Sequence, residues 1–193
     1  RIFTMGNRSN RVSYDKWDIN QLSRNTGLSP EQIQQIHQEF SRAAGRDGQL
    51  NMQEFAQLYN RFPGASQQDP RYMQQQIQRV FRTFDRDNSG ALSFDEYLSA
   101  VVMMNHSVPR RDRIDFLVRQ NNAQGCQRGN NGQISAQYGH QVLRRLNDYY
   151  GGRPGTEHQI WKQIDSHNRG YVSEEDFINF VSNQDVYNRR YQF

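Results

Sequence analysis

Apolar residues along this chain recur at helical rather than strand spacing. Met73, Ile77, Val80, Phe81 and Phe84 fall at relative positions 0, 4, 7, 8 and 11, which is one stripe of a helix buried along one side. Tyr97, Leu98, Val101 and Val102 repeat the stripe downstream. Upstream, Ile33, Ile36 and Phe40 form one stripe, and Phe55, Leu58, Tyr59 and Phe62 form another. The Ile33 stripe has a legible start at Ser29-Pro30-Glu31-Gln32, with Ser as N-cap, Pro at the first helical position and Gln at N3. The pattern predicts an all-α protein.

Between the stripes a glycine is followed two residues later by an aliphatic residue four times: Gly48/Leu50, Gly90/Leu92, Gly132/Ile134 and Gly170/Val172. The glycines are 42, 42 and 38 residues apart, so one supersecondary unit is used repeatedly. HEAT-like helical repeats share that period but have no need of the glycine–aliphatic pair.

The second glycine sits in Asp85-Arg86-Asp87-Asn88-Ser89-Gly90-Ala91-Leu92-Ser93-Phe94-Asp95-Glu96. Calcium is a hard cation that takes 6–8 oxygens, and a 12-residue EF-hand loop offers them at positions 1, 3, 5, 7, 9 and 12. Here those positions hold Asp85, Asp87, Ser89, the Ala91 carbonyl, Ser93 and Glu96, and Gly90 at position 6 permits the sharp turn. Ser93-x-x-Glu96 also reads as a capping box, so the exiting helix starts inside the loop. Four such units form two pairs, with Leu50 expected opposite Leu92 and Ile134 opposite Val172.

The other three loops are poorer in donors. The first, residues 43–54, retains Asp47, Asn51 and Glu54 but has Ala43 and Gly45 where carboxylates belong. The third, residues 127–138, offers Gln127, Gly129 and Asn131 and ends in Tyr138 instead of an acid. The fourth, residues 165–176, keeps Asp165, Ser173 and Asp176 but carries His167 and Arg169 at positions 3 and 5. A guanidinium there repels a cation. That loop is either a weak site, with magnesium among its candidate ions, or a purely structural one. One calcium site in the second loop is the expectation.

The order Gln21-Leu22-Ser23-Arg24-Asn25-Thr26-Gly27-Leu28-Ser29-Pro30-Glu31-Gln32-Ile33, then Phe55 to Gly64, then Phe81-Arg82-Thr83-Phe84-Asp85, resembles the neuronal calcium sensor family, including recoverin-like and frequenin-like proteins. The likeness covers most of residues 6–183, is strongest from Gln21 to Asn105 and fades in the second half. It implies four EF-hands, N-myristoylation, and a hydrophobic groove that takes an amphipathic target helix when calcium rises. The chain departs from the family in lacking a Cys-Pro pair at Ala44-Gly45-Arg46 and in the Asn-, Gln- and Gly-rich stretch from Asn121 to Asn131.

Composition changes the picture in three ways. The single cysteine, Cys126, excludes an internal disulfide framework and suits a reducing, cytoplasmic setting. No run of 18 apolar residues offers a membrane span. The net charge of +4 is almost wholly arginine, since Lys16 and Lys162 are the only lysines. Arg110, Arg111, Arg113, Arg144, Arg145, Arg189 and Arg190 suit either an anionic membrane surface or acidic partner, or a solvated helix face. No base-reading or stacking motif accompanies them, so nucleic acid is not an expected partner.

Residues 1–19 read as a flexible arm, 20–108 and 109–183 as two EF-hand pairs meeting near His106–Arg111, and 184–193 as a tail. Gly6 is a lipidation candidate if translation starts at Met5, with Arg8, Arg11 and Lys16 as a second membrane signal. The target groove is drawn from Ile36, Phe40, Phe55, Tyr59 and Phe62 in the first unit and Phe81, Phe84, Leu98 and Val101 in the second. The tail aromatics are set either to plug that groove or to fray. No nucleophile elbow or His-x-x-x-His is present, and Gly151 to Gly155 lacks a P-loop lysine, so no catalytic residue is assigned. The expected function is calcium sensing with regulated binding of a partner helix. The rival is a calcineurin-B-like scaffold that holds its target regardless of calcium. Oligomeric state is not encoded in any of these patterns.

Overall fold

A computed structural model describes residues 19–62, 68–120 and 132–187. Five helices occupy the first part of the described chain: α1 (Ile19–Thr26), α2 (Pro30–Ala43), α3 (Met52–Tyr59), α4 (Pro70–Phe84) and α5 (Phe94–Met104). Strands β1 (Leu50–Asn51) and β2 (Ala91–Leu92) separate the members of each helix pair. The second part holds α6 (Arg110–Gln120), β3 (Gln133–Ser135), α7 (Ala136–Tyr150), α8 (Thr156–Ile164), β4 (Tyr171–Ser173) and α9 (Glu174–Ser182), then a 3₁₀ turn at Asp185–Tyr187. The fold is all-α, with strands only where loops meet. Helix α1, given from Ile19 where the described residues begin, turns Leu22 into the core.

Helix starts are set by local chemistry. Ser29, Asn51 and Ser93 each make a reciprocal capping box, with Gln32, Glu54 and Glu96 at N3. Such caps satisfy amide donors that a helix leaves open at its N-terminus. The loops then meet in antiparallel pairs, Leu50 opposite Leu92 and Ile134 opposite Val172, all four buried. Each pairing fixes the distance between two helix–loop–helix units.

The two halves touch across the His106–Arg111 turn. One apolar cluster runs through both. Helix α1 packs on α6 and α4 on α7, with the Phe84 and Tyr149 rings 5.9 Å apart. The Met103 carbonyl near the end of α5 accepts from Arg113 Nη1 at 2.9 Å and from the Tyr149 hydroxyl at 3.3 Å. Sequence reading placed Arg113 in a surface charge cluster, whereas the structure buries it at the junction.

The start of the tail, as far as Tyr187, packs onto α7. Tyr187 is buried against α7, its hydroxyl donating to Asn147 Oδ1 at 2.8 Å, while Asn147 Nδ2 donates to Glu157. Residues 188–193, with Arg189 and Arg190, lie outside the described residues.

On the α7–α8 face, His140 Nε2 and His158 Nδ1 are 3.2 Å apart beside Trp161. Burial first, then the neighbouring His158, lowers the His140 pKa; Arg144 lowers it too, while Glu157 opposes. Burial also lowers that of His37. The unfolded chain therefore binds protons at these groups more readily than the folded one. Their stabilisation is complete above the unfolded value of about 6.5 and is lost as pH falls toward the lower folded values. Thermal melts from pH 7.5 to 5 should show a declining midpoint, and His140→Gln should flatten part of that slope. An unchanged slope in the variant would remove His140 from the account.

Candidate metal centre

Helix α4 carries Ile77, Val80, Phe81 and Phe84 into the core and is capped by Asp69, whose side chain accepts from the Arg71 and Tyr72 amides. It ends at Asp85, where the chain turns through Asn88 and Gly90, both with positive φ, at 52° and 79°. Those dihedrals aim successive amides inward. Asp85 accepts from Ser89 N at 2.9 Å and Gly90 N at 3.0 Å; Asp87 accepts from Ser89 N at 3.1 Å. The hydrogen bond from the Ser89 side chain leads the causes that hold the Asp87 carboxyl below its ordinary range. Strand β2 then returns the chain to α5, whose first turn swings Glu96 back across the loop.

Glu96 is only 4% exposed, and its two oxygens close the ring. One accepts from Arg86 N at 2.8 Å, the other from Ser93 N at 2.9 Å and the Ser93 hydroxyl at 3.0 Å. Carboxylate oxygens of Asp85, Asp87 and Glu96 all lie within 4.8 Å of one another. Two oxygens on one calcium at 2.3–2.6 Å are separated by at most about 5 Å, so these carboxylates fit a single ion of that size. Among the described residues this is the one group of three acidic, His or Cys side chains so gathered. Ser89 Oγ sits 2.8 Å from the Ala91 carbonyl, so these two oxygens lie side by side in the loop. Ser93 Oγ is engaged in the helix cap with Glu96.

A family model described as an EF-hand domain pair matches residues 72–104, the segment just built. The chain is thus similar, over this segment, to EF-hand proteins. It is 27% identical over 113 residues to calcium-binding protein L of Dictyostelium discoideum, covering 58% of this chain and 54% of that protein. It is 33% identical over 86 residues to S-modulin of Aquarana catesbeiana, covering 44% of this chain and 39% of that protein. The chain thus spans about half, or less, of the length of these curated relatives.

The fourth loop keeps the shape of the second and lacks several of its donors. In the fourth, Asn168 and Gly170 repeat the positive φ values at 54° and 82°. Asp165 accepts from Arg169 N at 2.9 Å and Gly170 N at 2.7 Å, a copy of the Asp85 pattern. Burial pushes the Asp165 carboxyl up, yet those two amides and the charges of Arg169 and His167 bring it below its ordinary range. Arg169 turns away to lie 5.6 Å over the Tyr171 ring, and Asp176 is exposed. Ser173 is used as the α9 cap, its hydroxyl accepting from Asp176 N at 3.0 Å.

In the first loop, Asn51 and Glu54 are taken up by the α3 capping box and Asp47 accepts from Gln49 N. In the third, Gln127, Gly129 and Asn131 lie outside the described residues, as do Cys126 and Gly6. Tyr138, standing where the closing acid would be, is fully buried and donates its hydroxyl to the Val118 carbonyl. The tyrosine thereby joins the entering helix α6 to the exiting helix α7, a contact that only the folded arrangement reveals.

Because the fourth loop already has the backbone of the second, its donors are the missing part. His167→Asp, Arg169→Ser and Asp176→Glu together should add a second calcium-binding event in calorimetry. A titration unchanged from the parent would mean that the loop backbone is not preorganised for the ion.

The residues expected to form a target groove are core in this conformation. Phe40, Phe55, Tyr59, Phe81, Phe84, Leu98 and Val101 are all buried, and only Ile36 and Phe62 are half-buried. Phe55 lies 5.8 Å from Phe81, and Phe40 5.5 Å from Tyr97. Helical apolar stripes face inward, and here they find one another. No helix among the described residues is long and apolar enough to cross a membrane.

Proposed function

We propose that the chain is a calcium sensor with one working site, in which Asp85, Asp87, Ser89, the Ala91 carbonyl and Glu96 hold the ion and Ser93 contributes from its cap. The convergence of the Asp85, Asp87 and Glu96 carboxylates at the junction of α4 and α5 supports this reading most strongly. The ion binds with a dissociation constant on the order of 10⁻⁷–10⁻⁵ M, the range of sensor EF-hands, with magnesium competing weakly. Helices α4 and α5, which flank the loop, pack through Phe81 and Tyr97 on Phe55 of α3 and Phe40 of α2, so a change in their angle exposes Phe40, Phe55, Tyr59, Phe81 and Leu98 together. A partner's amphipathic helix then takes up that surface. The reading places the protein in the cytoplasm, with an acylated Gly6 and neighbouring arginines giving reversible contact with an anionic membrane.

The calcium-insensitive scaffold is supported by Tyr138, which ties α6 to α7 with a hydroxyl where an EF-hand uses an ion. Titration of calcium in the presence of an apolar fluorescent dye separates the two. A sensor exposes apolar surface and brightens the dye as calorimetry registers binding; a scaffold binds with no optical change. Flat dye fluorescence alongside clear calcium heat would reject the sensor.

A further inference from the structure

Helices α4 and α7 face each other across a cleft that borders the calcium loop. One hollow in it, about 410 Å³, is lined by Arg82, Asp85, Arg86, Arg144, Arg145 and Asp148 among others. A second hollow of about 480 Å³ shares Arg82, Thr83 and Asp148 and reaches Arg79. Arg79, Arg82 and Arg86 follow one another by three and four residues, the spacing of one helix face. Arg144 and Arg145 approach from α7. Five guanidiniums therefore meet two carboxylates.

Arg86 lies 3.8 Å from Asp95 and from Glu96, and Arg144 lies 3.8 Å from Glu157, the spacing of loose ion pairs and not of bidentate forks. Each guanidinium has five donors, so capacity remains. Arg145 is half-buried and forms no ion pair among the described residues. Burial, then the charge of Arg86, pushes its pKa down to about 10, which still leaves it charged at pH 7. Five guanidiniums thus converge on hollows whose own lining carries two carboxylates, and the resulting local field favours an incoming anion.

We propose that this cleft binds a small, multiply phosphorylated anion. The volume lies within the range of small-molecule sites, and arginine forks match phosphate oxygens in pairs. No aromatic ring lines either hollow, so nothing there stacks on a base, and a phosphorylated cyclitol or sugar fits better than a nucleotide. A free phosphate ester and a phosphorylated lipid headgroup supply the same chemistry.

The cleft also touches the calcium loop through Asp85 and Arg86. On the calcium-sensor reading, an ion that neutralises Asp85 and Glu96 makes the cleft more positive. Calcium then tightens the anion, and by reciprocity the anion tightens calcium by the same factor.

The test is calorimetry of the full chain with inositol trisphosphate, first in chelator and then in calcium. One-to-one binding is expected in chelator, weakened about ten-fold or more by Arg82→Gln with Arg144→Gln, since each charged hydrogen bond lost is large enough for that. Both residues are exposed, so the fold should survive, as circular dichroism will verify; Arg145→Gln gives a second, half-buried probe. Absence of saturable heat, or equal affinity in the folded double variant, overturns the proposal. Unchanged anion affinity in calcium, with calcium heat present, overturns the coupling alone. Absent calcium heat overturns the sensor reading but leaves the chelator result standing. Sedimentation with phosphatidylcholine vesicles, with and without phosphatidylinositol bisphosphate, identifies the source: phosphoinositide-dependent binding that free trisphosphate displaces supports a lipid headgroup, and binding of the free ester alone supports a soluble ligand. Equal sedimentation with phosphatidylserine vesicles would instead mean diffuse membrane charge and would refute the cleft.

Discussion

Glu96→Gln is expected to weaken calcium binding by about two powers of ten or more, moving it from the sensor range toward 10⁻⁴–10⁻³ M. Position 12 supplies the bidentate carboxylate in an EF-hand loop, and Glu96, one of the three gathered acids, is only 4% exposed. Glutamine keeps one oxygen for the capping box, which accepts Gln as readily as Glu at N3. The amide cannot serve both Arg86 N and Ser93 N as acceptor, so about 1 kcal/mol of stability is lost as well. That cost is small beside the loss of a formal charge at a divalent ion. Calorimetry read beside a thermal melt separates the two effects. Calcium affinity within three-fold of the parent would remove Glu96 from the site.

Gly139→Ala should destabilise the second half of the protein by about 1–3 kcal/mol, the usual range for overpacking, and lower the melting midpoint by several degrees. In an exposed helix the same change would stabilise by roughly 1 kcal/mol, because glycine is a poor helix former. Here the sign is set by Trp161. A Cβ on Gly139 would fall inside the indole's van der Waals envelope, with Cζ3 nearest, Cε3 at 2.6 Å and Phe177 Cε2 at 3.3 Å. Trp161 is 6% exposed and packed against Phe177, so it cannot swing clear without opening α8 from α9. Trp161→Leu should therefore partly rescue Gly139→Ala, giving a favourable coupling in the double-mutant cycle. Additive losses would mean that the ring does not contact this position.

Much of the local architecture was legible because it depends on neighbours in sequence. The α4 stripe, the Ser29 and Ser93 capping boxes, the glycine turn at Gly90 and the Leu50–Leu92 and Ile134–Val172 pairings all follow from short-range periodicity and donor chemistry. So did the gathering of Asp85, Asp87 and Glu96, since a 12-residue loop brings its own ends together. The fourth loop shows the limit of that logic. Its backbone could be anticipated from Asp165 and Gly170, and its lack of donors from His167 and Arg169.

What involved distant residues could not be read that way. Whether an apolar side chain serves a groove or a core depends on the helix that lands on it, and periodicity is the same in both cases. Only the packed chain placed Phe55, Phe81 and Tyr97 against one another, joined the halves through Met103, Arg113 and Tyr149, and turned Tyr187 onto α7. Arginines 79, 82 and 86 had a visible spacing, but Arg144 and Arg145 come from a helix some sixty residues on, and facing them across a cleft is a matter of how α4 and α7 pack. The amino-acid order by itself determined the repeated unit and its ion-binding loop, because those are held by hydrogen bonds and turns a few residues long. Tertiary packing decided which surfaces are hidden, because burial is a property of pairs of elements that the chain brings together only on folding.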